Sequence, residues 1–142
     1  MIDEHDPILL ASVKKHEGWR PYAYRDSLGY LTIGYGRLID QQKGGGITEQ
    51  EGEMLLSNDL AGSVNSAPLF VKNYHELSEN RQRVVIEMIF NLGSGGFAKF
   101  KNTIAAIERG DYEAAAKGML SSLWAKQVKG RAKTLAEMMK QG

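Results

Sequence analysis

At 142 residues, 42% of them hydrophobic, the chain has the size of one domain, or of one domain built as two lobes, and enough apolar content to close a core. It contains no cysteine, which excludes disulfides and thiolate metal ligands. No apolar run approaches the roughly 20 residues that span a bilayer, which excludes stable membrane insertion by a helix. The net charge of +1 is unevenly spread, −4 over residues 1–98 and +5 over residues 99–142, so the last third is the candidate contact for something anionic, with solvated helix faces as the plainer reading. No basic stripe is interleaved with aromatics, so no nucleic-acid module is expected. The amino end, MIDEHDP, is acidic where a secretory signal is basic and then apolar, so no export route is expected from the chain itself.

The first predicted helix runs from Pro7 to His16 or Glu17, with Ile8, Leu9, Ala11 and Val13 at helical spacing, Pro7 in its first turn and Gly18 as its stop. From Trp19 to Ile39 the pattern changes to aromatic and β-branched residues broken by Asp-Ser, Leu-Gly and Gly-Tyr-Gly, which reads as two or three short antiparallel strands. The glycines at 44–46 form a loop. Thr48 to Glu51 has the Ser/Thr-x-x-Glu spacing of a capping box, opening a helix expected to run to about Ser66 and to be ended by Pro68. Ser78 caps a strongly apolar helix through Val84, Val85, Met88, Ile89 and Phe90 that stops at Gly93. Short helices follow around 97–100, 103–109, 112–124 and 129–140. The implied fold is α+β and mostly helical: a small β lobe over about 18–47, a connecting helix over about 48–66, and a helical lobe over about 67–142 that also takes the N-terminal helix.

The chemistry concentrates in residues 16–40, HEGWRPYAYRDSLGYLTIGYGRLID. Glu17 closes a helix, where the negative end of the dipole disfavours a second negative charge, a placing that suits a group meant to give up a proton. Asp26 lies in a turn, where free backbone N–H groups and Ser27 favour a carboxylate. Two carboxyls in unlike environments separate an acid from a base. Thr32 offers a hydroxyl that can position water, and the surrounding tyrosines and glycines shape an open groove. Taken singly, each of these residues is also ordinary for its position.

The spacing Glu-x8-Asp-x5-Thr is more specific. With Gly18 directly after the Glu, Tyr24-x-Asp26, and Gly29-Tyr-x-Thr-Ile-Gly-x-Gly36 around the Thr, it resembles the active-site stretch of the phage-type lysozymes, the endolysins of glycoside hydrolase family 24. The similarity continues through Gly46-Ile-Thr48, Asn58-Asp59, Asn80-Arg81, Phe90-Asn-Leu-Gly93, Ser122-Leu-Trp124 and Gly130-Arg-Ala-Lys133. The resemblance implies a lysozyme-like two-lobed fold with the active site between the lobes. It also implies hydrolysis of the β-1,4 bond between N-acetylmuramic acid and N-acetylglucosamine in peptidoglycan, with no metal and no cofactor.

Position by position, the resemblance makes Glu17 the general acid and gives Asp26 and Thr32 the attacking water. The family outcome is inversion, which needs the carboxyls roughly 6.5–9.5 Å apart, whereas about 5 Å would make Asp26 a nucleophile. Arg131 aligns with an arginine that reaches the catalytic Glu, and Tyr24, Gly36, Phe90, Asn91 and Trp124 take supporting places. Trp124 and Asn91 match a pair in which the indole N–H needs an acceptor, with plain core packing the preferred reading for both. Many relatives have His where this chain has Arg37, so an Arg37–Asp59 ion pair is expected in place of a titrating His pair. The 41–46 segment is short, and His16 is read as facing solvent.

The implied partner is the peptidoglycan glycan strand, met by a monomer made in the host cytoplasm and acting in the periplasm once a holin-type protein has opened the membrane. Two other readings stay open. One is a tail-associated lysozyme domain that works as the phage enters its host; the other is a module that grips glycan without cutting it.

Overall fold

A computed structural model describes residues 1–142. The architecture is α+β and helix-dominated, with seven α-helices and one three-stranded antiparallel sheet, and it forms two compact units, Met1–Glu53 and Met54–Gly142. No helix is long and apolar enough to cross a membrane.

In the first unit, α1 spans Pro7–Glu17. The Asp6 carboxylate accepts the Leu9 N–H at 2.7 Å, which satisfies one orphan donor of the first turn. Gly18, at φ 74°, ends the helix and returns its N–H to the Lys14 carbonyl at 3.0 Å. The sheet has the order β1 (Arg20–Arg25), β2 (Leu31–Gly34), β3 (Arg37–Leu38). Tyr24 stands opposite Thr32 and Arg25 opposite Leu31, and the register slips between Arg20 and Tyr24, where Pro21 has no N–H to give the ladder. Thr32 in turn faces Leu38 on β3, so it sits at the centre of the sheet. A single 3-10 turn, Gln41–Lys43, is capped by Asp40.

Helix α2 spans Glu49–Phe70, and the boundary between the units falls within it. Its start is the capping box the spacing predicts: the Glu51 N–H donates to Thr48 Oγ1 at 3.1 Å and the Thr48 N–H donates to Glu51 Oε1 at 2.9 Å. Its end differs from expectation. Pro68 lies inside the helix, which tolerates its missing N–H near the last turn, where the buried Ala67 and Val71 keep the chain anchored and are still bonded to each other.

The second unit holds the hydrophobic core. Helix α3 (Glu79–Ala98), capped by Ser78, buries Val84, Val85, Met88 and Ile89 on one face. Gly93, at φ 74° and ψ 162°, is non-helical and stops the first segment of α3 where the sequence predicts; a second short segment then runs to Ala98 and buries Phe97 completely, lying a few residues before the 97–100 expected for it. Then come α4 (Lys101–Glu108), α5 (Tyr112–Leu120), α6 (Leu123–Val128) and α7 (Gly130–Gln141). The single helix predicted over 112–124 is two, because Ser121 and Ser122 compete for the backbone: the Ser122 hydroxyl donates to the Met119 carbonyl at 2.6 Å and accepts the Ala125 N–H at 3.2 Å. Ala115, Ala116 and Met119 of α5 and Ala132, Leu135, Ala136 and Met139 of α7 complete the core, the alanines leaving room for close helix approach. Arg81 ties the end of α7 to α3, donating from Nε to the Met139 carbonyl at 2.8 Å and from Nη2 to the Lys140 carbonyl at 3.1 Å, with its plane over the Tyr112 ring at 3.5 Å.

Candidate active site

Glu17 is the last residue of α1 and is exposed. What fixes the space around its carboxyl is a glycine. A Cβ built on Gly36 would lie 2.5 Å from Glu17 Oε2 and 2.9 Å from its Cδ, so no other residue fits without moving the carboxyl. Gly36 is also at φ 80°, a conformation that disfavours side chains by roughly 1–2 kcal/mol. The turn from β2 to β3 thus presses bare backbone against Glu17, which accounts for the glycine at 36.

Asp26 and Thr32 both bond to the backbone of one residue, Tyr30. The turn after β1 closes with the Asp26 N–H donating to the Tyr30 carbonyl at 2.9 Å and the Gly29 N–H donating to the Asp26 carbonyl at 3.0 Å. The Asp26 side chain is held inside this turn, its Oδ1 accepting the N–H groups of Leu28 and Tyr30, each at 2.9 Å. Thr32, only 4% exposed, donates its hydroxyl proton to the Tyr30 carbonyl at 3.0 Å. The N–H of Tyr30 therefore orients Asp26 while its C=O orients Thr32. Asp26 Oδ2 takes no backbone N–H, and Thr32 Oγ1 keeps lone pairs to accept from a ligand or a water. Tyr24 stands across the sheet from Thr32 with the Arg20 guanidinium 4.9 Å over its ring.

Arg37 corrects one expectation. Its partner is Glu51 and not Asp59: Nη2 lies 2.6 Å from Oε2 and Nη1 lies 2.8 Å from Oε1, a two-pronged pair. The cause is the capping box, which folds Glu51 back over the start of α2, beside the Gly46 carbonyl that Arg37 also reaches at 3.3 Å. The Arg37 hydrogen bond, followed by the Thr48 N–H, lowers the Glu51 carboxyl from 4.5 to about 2. Asp59 instead lines a groove of the second unit with Gly62, Ser63, Ser66 and Phe90.

The remaining predicted residues lie in the second unit. Phe90, 40% exposed, and Arg131 line one apolar groove with Leu56, Leu60 and Ile86. Arg131 pairs with Glu87 at 3.2 Å, and its buried Nε has no partner in the protein. The Trp124 indole N–H donates to Asn91 Oδ1 at 2.7 Å, so this pair is both packed and hydrogen-bonded. Sequence reasoning passed over Glu51 and Glu87 as the carboxylates that engage these arginines. It also passed over Trp19 and Tyr35, whose signal was the density of aromatics around Glu17.

Comparison with known proteins bears on the chain as a whole. The family model described as phage lysozyme matches residues 14–140. The chain is 31% identical over 155 residues to the pre-baseplate central spike protein Gp5 of Enterobacteria phage T4, an alignment that takes in 92% of this chain and 27% of that much longer protein. It is 28% identical to probable T4-type lysozyme 1 of Dictyostelium discoideum, covering 92% of each. It is 31% identical to the endolysin of Salmonella phage P22, covering 84% of this chain and 82% of that one. Matched over nearly its whole length, the chain belongs to the phage lysozyme family.

Proposed function

We propose that the protein is a muramidase that hydrolyses the β-1,4 bond between N-acetylmuramic acid and N-acetylglucosamine in peptidoglycan. Glu17 is the general acid, and Asp26 and Thr32 order the attacking water. The observation that carries this reading is the backbone of Tyr30, whose N–H donates to Asp26 and whose C=O accepts from Thr32.

Because Thr32 gives its proton to the Tyr30 carbonyl, its oxygen can only accept from a water. A water that donates one hydrogen to Thr32 Oγ1 and the other to Asp26 Oδ2 has a lone pair left for the anomeric carbon. As the new C–O bond forms, its proton passes to Asp26, and the Glu17 proton passes to the departing glycosidic oxygen. This is a single displacement, so the configuration inverts. Gly36 leaves the room that the Glu17 carboxyl occupies, and Tyr24 supports the strand that carries Thr32. Phe90 and Arg131 serve the glycan from the groove they line. Asn91 and Trp124 brace the break in α3 at Gly93.

The decisive measurement is loss of turbidity of chloroform-permeabilised Gram-negative cells, wild type against Glu17→Gln at matched concentration. Lysis by the wild type alone supports the reading. Lysis by both removes Glu17 from the mechanism, and lysis by neither folded protein favours a module that binds glycan without cutting it. Proton NMR of the first product separates inversion, which gives the α-anomer, from retention.

The setting is proposed on the same basis: a monomer acting on periplasmic peptidoglycan after a holin-type protein has opened the membrane. The likeness to the phage T4 spike protein favours a second setting, a lysozyme domain used as the phage enters its host. Neighbouring genes decide between them, a membrane-lesion gene supporting the first and baseplate genes the second.

A further inference from the structure

Beside the Glu17 carboxyl lies an aromatic pair that the reaction above does not use. Trp19 follows Glu17 by two residues, and Tyr35 directly precedes Gly36. Their ring centroids are 5.0 Å apart and their planes are tilted by 44°. Trp19 is 61% exposed and Tyr35 43% exposed, although burying such rings is normally strongly favourable. The pair is nevertheless held in place. The indole edge rests on Gly34, its Cζ3 at 3.7 Å from where a Cβ would stand, and the Lys14 ammonium lies 5.5 Å over the Tyr35 ring. The indole N–H of Trp19 has no acceptor in the protein, in contrast to that of Trp124.

Two exposed, tilted π faces and an indole N–H without a protein acceptor match an N-acetylated pyranose. One face of such a ring presents C–H bonds, whose positive hydrogens are attracted to the negative face of an aromatic ring. The acetamido carbonyl supplies the acceptor that the indole N–H lacks. We propose that Trp19 and Tyr35 form a stacking platform for one sugar of the glycan strand, bordering the Glu17 carboxyl on the Gly34–Gly36 side. The identity of the ligand rests on the muramidase reading.

The test uses the full chain carrying Glu17→Gln, so that the ligand survives. The ligand is a soluble hexasaccharide of alternating N-acetylglucosamine and N-acetylmuramic acid. Trp124 is only 4% exposed, so a change in tryptophan emission on titration reports Trp19. A saturable emission change is expected. Adding Trp19→Leu should abolish it and raise the calorimetric Kd about tenfold, a loss of roughly 1.4 kcal/mol, and Tyr35→Leu should raise Kd several-fold. Leucine keeps apolar bulk at both positions, and circular dichroism checks that the fold is intact. Flat emission, or a Trp19→Leu protein that binds within twofold of its parent, overturns the platform. If the wild type lyses cells while Trp19→Leu binds normally, the platform fails and the muramidase reading stands. If the wild type fails to lyse cells yet the hexasaccharide binds in a Trp19-dependent way, the platform stands and the hydrolytic reading fails.

Discussion

The two compact units are built by different physics. In Met1–Glu53 the only buried residue is Thr32, and the geometry is set by backbone: positive-φ glycines at 18, 29, 34 and 36, carboxylates accepting N–H groups at Asp6, Asp26 and Asp40, and a capping box at Thr48 and Glu51. In Met54–Gly142 the geometry is set by packing, and every residue of the buried hydrophobic core, from Ala67 to Met139, belongs to it. The proposed acid and water-ordering residues all fall in the first kind of structure. Backbone-held turns place polar atoms tightly while contributing little apolar burial, so that unit suits chemistry and its neighbour suits stability.

The sharpest way to test this contrast is to damage each unit in its own terms. Glu17→Gln should lower the lysis rate by two to four orders of magnitude, the usual scale for losing a positioned acid, with a melting temperature unchanged within about 1 °C. Met88→Ala, deep in α3, should do the opposite, costing about 2–5 kcal/mol in urea unfolding while the folded fraction keeps its specific activity. A large stability loss from the first change, or a specific-activity loss from the second, would falsify the division. Gly36→Ala breaks the contrast deliberately, since it touches both. It should displace the Glu17 carboxyl and cut activity at least tenfold, and cost about 1–2 kcal/mol through its positive φ, read by kinetics and thermal melting on one sample.

Two smaller effects sharpen the comparison. Glu51 has a folded pKa near 2, below its usual 4.5, so its contribution to stability is complete above about pH 4.5 and is lost as pH falls towards 2. Melting curves across that window should therefore fall less steeply for Glu51→Gln than for the wild type. A parallel fall would show that the Arg37 pair does not couple to folding. In the second unit, Lys129 is the one non-glycine residue at positive φ, at 47° with ψ −112°, a glycine-favouring turn conformation between α6 and α7. Lys129→Gly should relieve strain and raise stability by about 1 kcal/mol, or a few degrees in melting temperature. A drop in stability instead would mean that the junction is not strained.

What could be read from the sequence was mostly what is local. The capping box at Thr48 and Glu51, the Ser78 cap, the stop at Gly18 and the turn that carries Asp26 each depend on neighbours within a few residues, and each formed as expected. The helix break at Ser121–Ser122 was hidden because apolar periodicity continues through it, while two hydroxyls decide locally against it. The partner of Arg37 was hidden because the same capping box that was legible also relocates Glu51. The Trp19–Tyr35 pair depends on the slipped register between Arg20 and Tyr24, an irregularity that composition does not announce.

The backbone of Tyr30 has a consequence for how this protein can change. Since that one residue orients two side chains, Asp26 through its N–H and Thr32 through its C=O, the length of the 26–32 segment is constrained. One inserted residue would pull Tyr30 out of its closing bond with Asp26 and turn Thr32 to the other face of β2, removing both residues from the site together. Variation in this stretch is confined to substitution at constant length, with Ser27 and Leu28, whose side chains are exposed, the positions where it costs least. Libraries meant to alter specificity should therefore keep residues 26–32 in count.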